Sequence, residues 1–169
     1  MIKNNSGITL AALIITVIVI TIIATISVYE GKELIAKSKV ETLETNMLTI
    51  QAKAKSYADE IDAKIWTETD KETSRNKEFK DKGFSDPITL TSELLDEIDN
   101  TIKSNYIAYR INDIALKNMG LNEISDEEFI AVFNKNDYKL MDIIYTNGVS
   151  YKSKTYYSLS KLQNALENN

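Results

Sequence analysis

Residues 8–29, ITLAALIITVIVITIIATISVY, run for 22 positions without a charged side chain. As an α-helix the stretch would be about 33 Å long at 1.5 Å per residue, enough to cross a hydrocarbon core of about 30 Å. Thirteen of the 22 residues are Ile, Leu or Val. At roughly −0.3 to −0.6 kcal/mol each, they favour insertion by about 4–8 kcal/mol. Thr9, Thr16, Thr21, Thr25 and Ser27 do not reverse this, because a hydroxyl on a helix can bond a carbonyl of the preceding turn. In water the β-branched content would suggest a buried strand. In lipid a lone segment satisfies its backbone only as a helix, so a helix is expected. The run exceeds the apolar core of a secretory signal, about 7–15 residues, which favours a retained anchor over a cleaved signal. Lys3 precedes the run, and Lys32, Lys37 and Lys39 follow it among Glu30, Glu33 and Glu41. That balance leaves the orientation open.

Beyond the run the helix is expected to continue, with Gly31 as a weak point worth about 1 kcal/mol relative to Ala. Ala36, Val40, Leu43, Met47, Ile50, Ala54, Tyr57 and Ile61 recur at alternating steps of four and three. This is an a/d stripe whose other faces are polar. The pattern predicts one helix from Thr9 to Ile65, about 85 Å long, apolar all round in its first half and amphipathic in its second. A coiled-coil dimer would also use such a stripe. Packing against a later sheet of the same chain is preferred, because that sheet needs a partner for its own apolar face.

Working outward, residues 67–86, TETDKETSRNKEFKDKGFSD, are dense in both charge signs and show no apolar period. They read as a surface loop stapled by Trp66, Phe79 and Phe84. From Pro87 a head begins. Thr91 reads as an N-cap with Glu93 in the first turn, and Leu94, Leu95, Ile98 and Ile102 extend a helical face to about Lys103. Tyr106–Ile111 reads as extended. Asn112 caps a short helix over Asp113–Met119, stopped by Gly120. Phe129–Tyr157 reads as antiparallel sheet, with a turn at Asn134–Asp137 and a hairpin at Asn147-Gly148. Leu140, Ile143, Ile144, Val149, Tyr151, Tyr156 and Tyr157 are candidates to face the helix or the sheet interior. Ser158 or Ser160 caps a last helix through Leu166. The expected class is α+β: a long N-terminal helix packed on a small antiparallel head. Its segments are 1–7, a leader; 8–29, the membrane half; 30–66, the amphipathic half; 67–86, the loop; and 87–169, the head.

Composition narrows the chemistry. The chain has no Cys and no His, which removes disulfides, thiol chemistry, the commonest general base and the commonest metal ligand. A net charge of −5 argues against a dedicated nucleic-acid binder. Five Gly and one Pro in 169 residues are too few for a flexible linker protein. Asp113, Glu127, Glu128, Asp137 and Asp142 are available as acids and bases, but no phosphate loop or partner singles out a pair. Asn134, Asn136 and Asp137 offer oxygen ligands without the Gly and final Glu of a calcium loop, so turn chemistry is the preferred reading. Tyr138, Lys139, Tyr145, Tyr151, Lys152, Lys154, Tyr156 and Tyr157 form a basic aromatic set of the kind that binds single strands. A tyrosine-rich strand pair with edge lysines explains them as well, and is preferred. The expectation is no enzyme, no cofactor, no metal and no small-molecule substrate.

One junction remains. Met1–Gly7, MIKNNSG, is a short leader with a single Lys, and the apolar helix starts directly after it. The stretch SGITLAALIITVIVITIIATISV resembles the N-terminus of type IV pilins and pseudopilins. The resemblance implies cleavage after Gly7 by a prepilin peptidase and methylation of the new terminus at Ile8, with Thr9 and Leu10 matching the usual Thr-Leu. It also implies a long helix that anchors the subunit in the membrane and later forms a filament core. Partners would be the membrane, the peptidase and other pilin or pseudopilin subunits, of either a type IV pilus or a type II secretion system. The location would be the cell membrane, single-pass with the head extracytoplasmic, and then a cell-surface filament. Ala12 stands at the fifth mature position, where the family usually carries a Glu that pairs with a neighbour's amine. Its absence removes a registry device, as in tip-type minor pseudopilins or a branch that dispenses with the Glu. The alternative from another class is an anchored extracytoplasmic binding module that never polymerises.

Overall fold

A computed structural model of the chain describes residues 10–98, 103–124 and 128–168; in the first helix, side chains are described at positions 17, 18, 20, 21 and from 35 onward. The chain is α+β and divides into two units, Met1–Lys39 and Val40–Asn169. Helix α1 spans Leu10–Lys64 and belongs to both. It passes through Gly31 without ending there. Its observed ends fall within a residue of the expected ones, Thr9 itself lying outside the described residues.

In the second unit the stripe on α1 is buried: Val40, Leu43, Met47, Ile50, Ala54, Ala58, Ile61 and Ile65 all belong to the main core. Ala36, expected as the first member, is exposed. Ala58 takes the fully buried place expected for Tyr57, which packs at the core's edge. A straight helix drifts about 20° per heptad against a 3.5-residue stripe, so the buried line migrates along it. The partner is the chain's own sheet, which occupies the seam a coiled-coil dimer would need.

Residues 67–86 correct the loop expected there. Helix α2 occupies Lys71–Asp81, capped by Asp70, whose side chain accepts from the Thr73 amide at 3.1 Å. Only Arg75 and Phe79 are buried on it. Two anchors one turn apart hold a helix whose remaining faces are polar, and no apolar period announces it. Phe79 stacks on Tyr109 with ring centroids 4.7 Å apart and meets Phe84 edge-on at 5.2 Å. Trp66, expected to staple this region, is 76% exposed.

The sheet is an antiparallel meander in chain order: β1 (Phe84–Ile88), β2 (Tyr106–Ile111), β3 (Phe129–Asn134), β4 (Leu140–Tyr151) and β5 (Lys154–Ser158). Pro87 is tolerated because β1 is an edge strand. Strand alternation sends Ile107, Tyr109, Phe129, Ala131, Phe133 and Ile143 to the core shared with α1. It sends Ala108, Ile130, Val132 and Ile144 to a smaller cluster on the other side, together with Leu90 and Ile98. Thr91 caps α3 as expected, but α3 is only Ser92–Leu95. Residues 96–98 turn away, and Ile102 lies outside the described residues.

The expected hairpin at Asn147-Gly148 is displaced. β4 runs straight through that pair, and the reversal comes at Lys152-Ser153, with φ of 47° and 64°. Two successive positive φ values are the pattern of the tight hairpin turn that suits strand twist. Between Ile144↔Ser158 and Val149↔Tyr156, β4 advances five residues while β5 advances two. Gly148, at φ 65°, therefore serves a bulge. A Cβ there would lie 2.7 Å from Thr155 and Tyr157 side-chain atoms.

The remaining caps match expectation. Asn112 accepts from the amides of Ile114 and Ala115 and opens α4, Asp113–Asn118. Gly120 (φ 85°) donates to Lys117 O at 3.0 Å and Leu121 to Leu116 O at 2.9 Å, the paired bonds of a Schellman stop. Ser158 caps α5, Leu159–Glu167.

Candidate functional site

The processing junction inferred from sequence lies at the chain's start. Gly7, Ile8 and Thr9 are outside the described residues. Leu10 and Ala12 fall in the first turn of α1, with only their backbone described, and that turn contains no acidic residue. Among the described residues no helix is long and apolar enough to cross a membrane. Of the 8–29 run, however, side chains are described only at Val17, Ile18, Ile20 and Thr21.

Those side chains are informative. Val17, Ile18 and Ile20 are 55%, 53% and 60% exposed, and Ile35 is 60% exposed. At 100° per residue, positions 17, 18 and 20 spread over about 160° of the helix circumference, wider than a narrow a/d seam. A helix apolar on all sides is a buried element, in a core, a bilayer or an assembly. The Thr21 hydroxyl donates to the Val17 carbonyl at 2.8 Å, the bond that lets a hydroxyl sit on such a helix without a water partner. Thr45 and Thr49 do the same to Glu41 and Thr45, at 2.9 and 3.0 Å.

The carboxylates considered for chemistry are scattered. Asp113 is exposed in the first turn of α4, and Glu127 is outside the described residues. Glu128 pairs with Arg110. Asp137 accepts from the Lys139 amide at 3.1 Å, a bond that lowers its carboxyl pKa. Asp142 is buried on β4, where its carboxylate accepts from the Ile143 amide at 2.8 Å and from the amide and hydroxyl of Ser160. Burial pushes its pKa up despite those bonds. Asn134 Oδ1 accepts from the Asn136 amide at 2.8 Å, so this oxygen, like that of Asp137, serves the turn itself. Among the described residues no group of three or more acidic side chains is placed to hold a metal.

The tyrosines are divided rather than gathered. Tyr145, Tyr151 and Tyr156 pack against the core shared with α1, and Tyr157 against the other cluster. Tyr138 lies under the Arg75 guanidinium at 3.5 Å. A single-strand platform needs successive exposed rings along one face, and this arrangement uses the rings for packing.

Sequence reasoning missed the cluster that joins α1 to α2. Arg75, only 8% exposed, donates from Nε and Nη2 to Asp62 Oδ1 at 3.0 and 2.5 Å while stacking on Tyr138. Beside it the Tyr109 hydroxyl donates to Asn76 Oδ1 at 2.7 Å, and burial raises the pKa of that phenol. These groups satisfy one another and hold the helix pair together. The Asp70 cap with Glu72 in the first turn was the one local signal that could have found α2.

Compared with known proteins, the chain matches no family model, no curated protein and no solved structure.

Proposed function

We propose that this chain is a minor pilin- or pseudopilin-like structural subunit of a type IV pilus or a type II secretion-like filament. Residues 8–29 hold it in the membrane as a single span, with the head extracytoplasmic. A prepilin peptidase removes Met1–Gly7, leaving Ile8 as the new and methylated terminus. The helix is then withdrawn from lipid into a filament, where packing between helices replaces contact with acyl chains. The chain acts by assembling, not by catalysis, and takes no cofactor.

The observation that carries this reading is the exposure of Val17, Ile18 and Ile20 on the helix whose later turns are saturated by the head. Large apolar side chains left bare within one helical turn support an interaction site there. The Ser6-Gly7-Ile8-Thr9-Leu10 junction says which kind. Without the fifth-position Glu, Ala12 suits a subunit at a filament tip, which has no neighbour ahead to pair with, while the Ile8 amine can still receive a Glu from the subunit behind.

The test is the intact mass of the membrane-extracted chain after co-expression with a prepilin peptidase. The expected result is loss of Met1–Gly7 from the wild-type chain and full retention in Gly7→Phe. A wild-type chain that keeps its leader, where an authentic pilin in the same cells is trimmed, would overturn the proposal and leave an anchored head that does not polymerise.

A further inference from the structure

Within the Val40–Asn169 unit, two features at opposite ends of the sheet complement each other. The first is Trp66, in the turn after α1. Ile65 beside it is 3% exposed and fixes the turn in the core, and the Glu68 amide closes it by donating to Ile65 O at 3.0 Å. The indole itself is 76% exposed, with Lys71 Nζ 5.1 Å from the ring centroid and Glu68 and Asp70 close in the chain. A fixed, bare tryptophan is the residue type most enriched among interface anchors.

The second is a groove of about 330 Å³ lined by Asp113, Leu116, Lys117, Leu121, Asn122 and Ile124. Leu116, Leu121 and Ile124 supply apolar walls, and Asp113, Lys117 and Asn122 a polar rim. This is the anatomy of an anchor pocket. Its volume is at the small end for ligand pockets, roughly 300–1,000 Å³, which suits one aromatic side chain better than a helix. Ile114, 64% exposed, extends the apolar surface beside the rim.

β2 separates the two. Its Tyr106 end pairs with Asn134, next to the turn whose Tyr138 stacks on Arg75 of α2, on the Trp66 side. Its Ile111 end leads through Asn112 into α4 and the groove. Six strand residues put about 20 Å between the ends, so a chain cannot fill its own groove with its own indole. We propose that Trp66 of one copy of this chain seats in the Leu116–Leu121–Ile124 groove of a second copy. The rims agree in sign: Lys71 beside the indole would meet Asp113, and Glu68 or Asp70 would meet Lys117. A knob and a hole at opposite ends make a head-to-tail contact, which propagates rather than closing as a two-fold dimer. The contact rests on the reading of the chain as a subunit and supplies the surface its head would use.

The chain has no cysteine, which gives a clean test on the full chain in membranes. Thr67→Cys and Asn122→Cys, both at exposed positions, are combined in one chain and oxidised. The expected product is a ladder of dimers, trimers and higher species. It is absent from either single variant, and reduced at least about tenfold by Trp66→Ala or Lys117→Glu. Both of those substitutions are at exposed side chains, and an unchanged melting temperature confirms that the head still folds. No ladder, a product that stops at dimer, or a ladder indifferent to Trp66→Ala would overturn the contact. Loss of accessibility of the single tryptophan to a soluble quencher on adding lipid vesicles, without dependence on protein concentration, would assign the indole to lipid and overturn it too. Leader cleavage is read by mass on the same samples. Cleavage without a ladder removes only this contact, whereas a ladder without cleavage removes only the pilin reading.

Discussion

The two halves of α1 share one backbone geometry and have opposite side-chain fates. Every side chain described from Val17 to Lys39 is exposed, whereas Val40, Met47, Ile50, Ala54 and Ile61 are at most 1% exposed. The difference lies in pattern rather than hydrophobicity. From Val40 the apolar residues keep to one stripe, and the head's sheet offers one matching face. At positions 17, 18 and 20 they spread over about 160° of the helix, wider than that stripe, and all three stay exposed. Helix formation is therefore common to both halves, while burial depends on how many partners each half can find within the chain.

Substitutions can break or sharpen that contrast. Ile50→Asp places an unpaired carboxylate in the core, and the head should lose more than about 4 kcal/mol of stability. Ile18→Asp, on the same helix, should leave the head's melting within about 0.5 kcal/mol of wild type. Equal losses in chemical denaturation would erase the distinction. Phe79→Ala should cost about 3–5 kcal/mol, because this one ring joins α2 to Tyr109, Phe84 and Phe133. A loss below about 1 kcal/mol would show that α2 is not part of the head's core. Gly148→Ala should cost about 1–3 kcal/mol through its positive φ and the close approach of Tyr157. That loss should appear in the head's melting with α1 helicity unchanged.

The smallest effect has the opposite sign. Burial raises the Asp142 pKa in the folded head. This group therefore contributes stability that is full below its unfolded pKa and fades as pH rises through its folded value. Asp142→Asn resembles the protonated side chain, whose oxygen still accepts from the Ser160 and Ile143 amides. It should raise the head's melting temperature at pH 7 by about 2 °C and flatten the pH dependence between acid and neutral. A drop at pH 7 would mean that the charged carboxylate is needed to hold α5.

Where local chemistry is self-sufficient, the sequence was readable. Asn112, Thr91 and Ser158 cap because their side chains reach the next turn whatever surrounds them. The stripe from Val40 was readable because a period survives over many turns. α2 was not, since its stability rests on Phe79 and Arg75 meeting Tyr109 of β2, Phe133 of β3 and Tyr138 of the turn before β4, far away in sequence. Asn147-Gly148 misled for a related reason. A glycine at positive φ serves a turn or a bulge equally well, and the register with β5 decided which. Lys152 and Ser153, which make the reversal, carry no glycine to announce it. Of the inferred site, Gly7, Ile8 and Thr9 lie outside the described residues, and their reading rests on sequence alone.

The central claim is that the apolar half of α1 moves from lipid to neighbouring subunits. Ile18→Cys, in a chain without other cysteines, can carry a benzophenone and be irradiated in cells with and without a complete filament machinery. The account predicts protein–protein adducts at residue 18 only where the machinery is present, with the label otherwise consumed by lipid. Equal adduct yields in both cells, or no protein adduct in either, would contradict it.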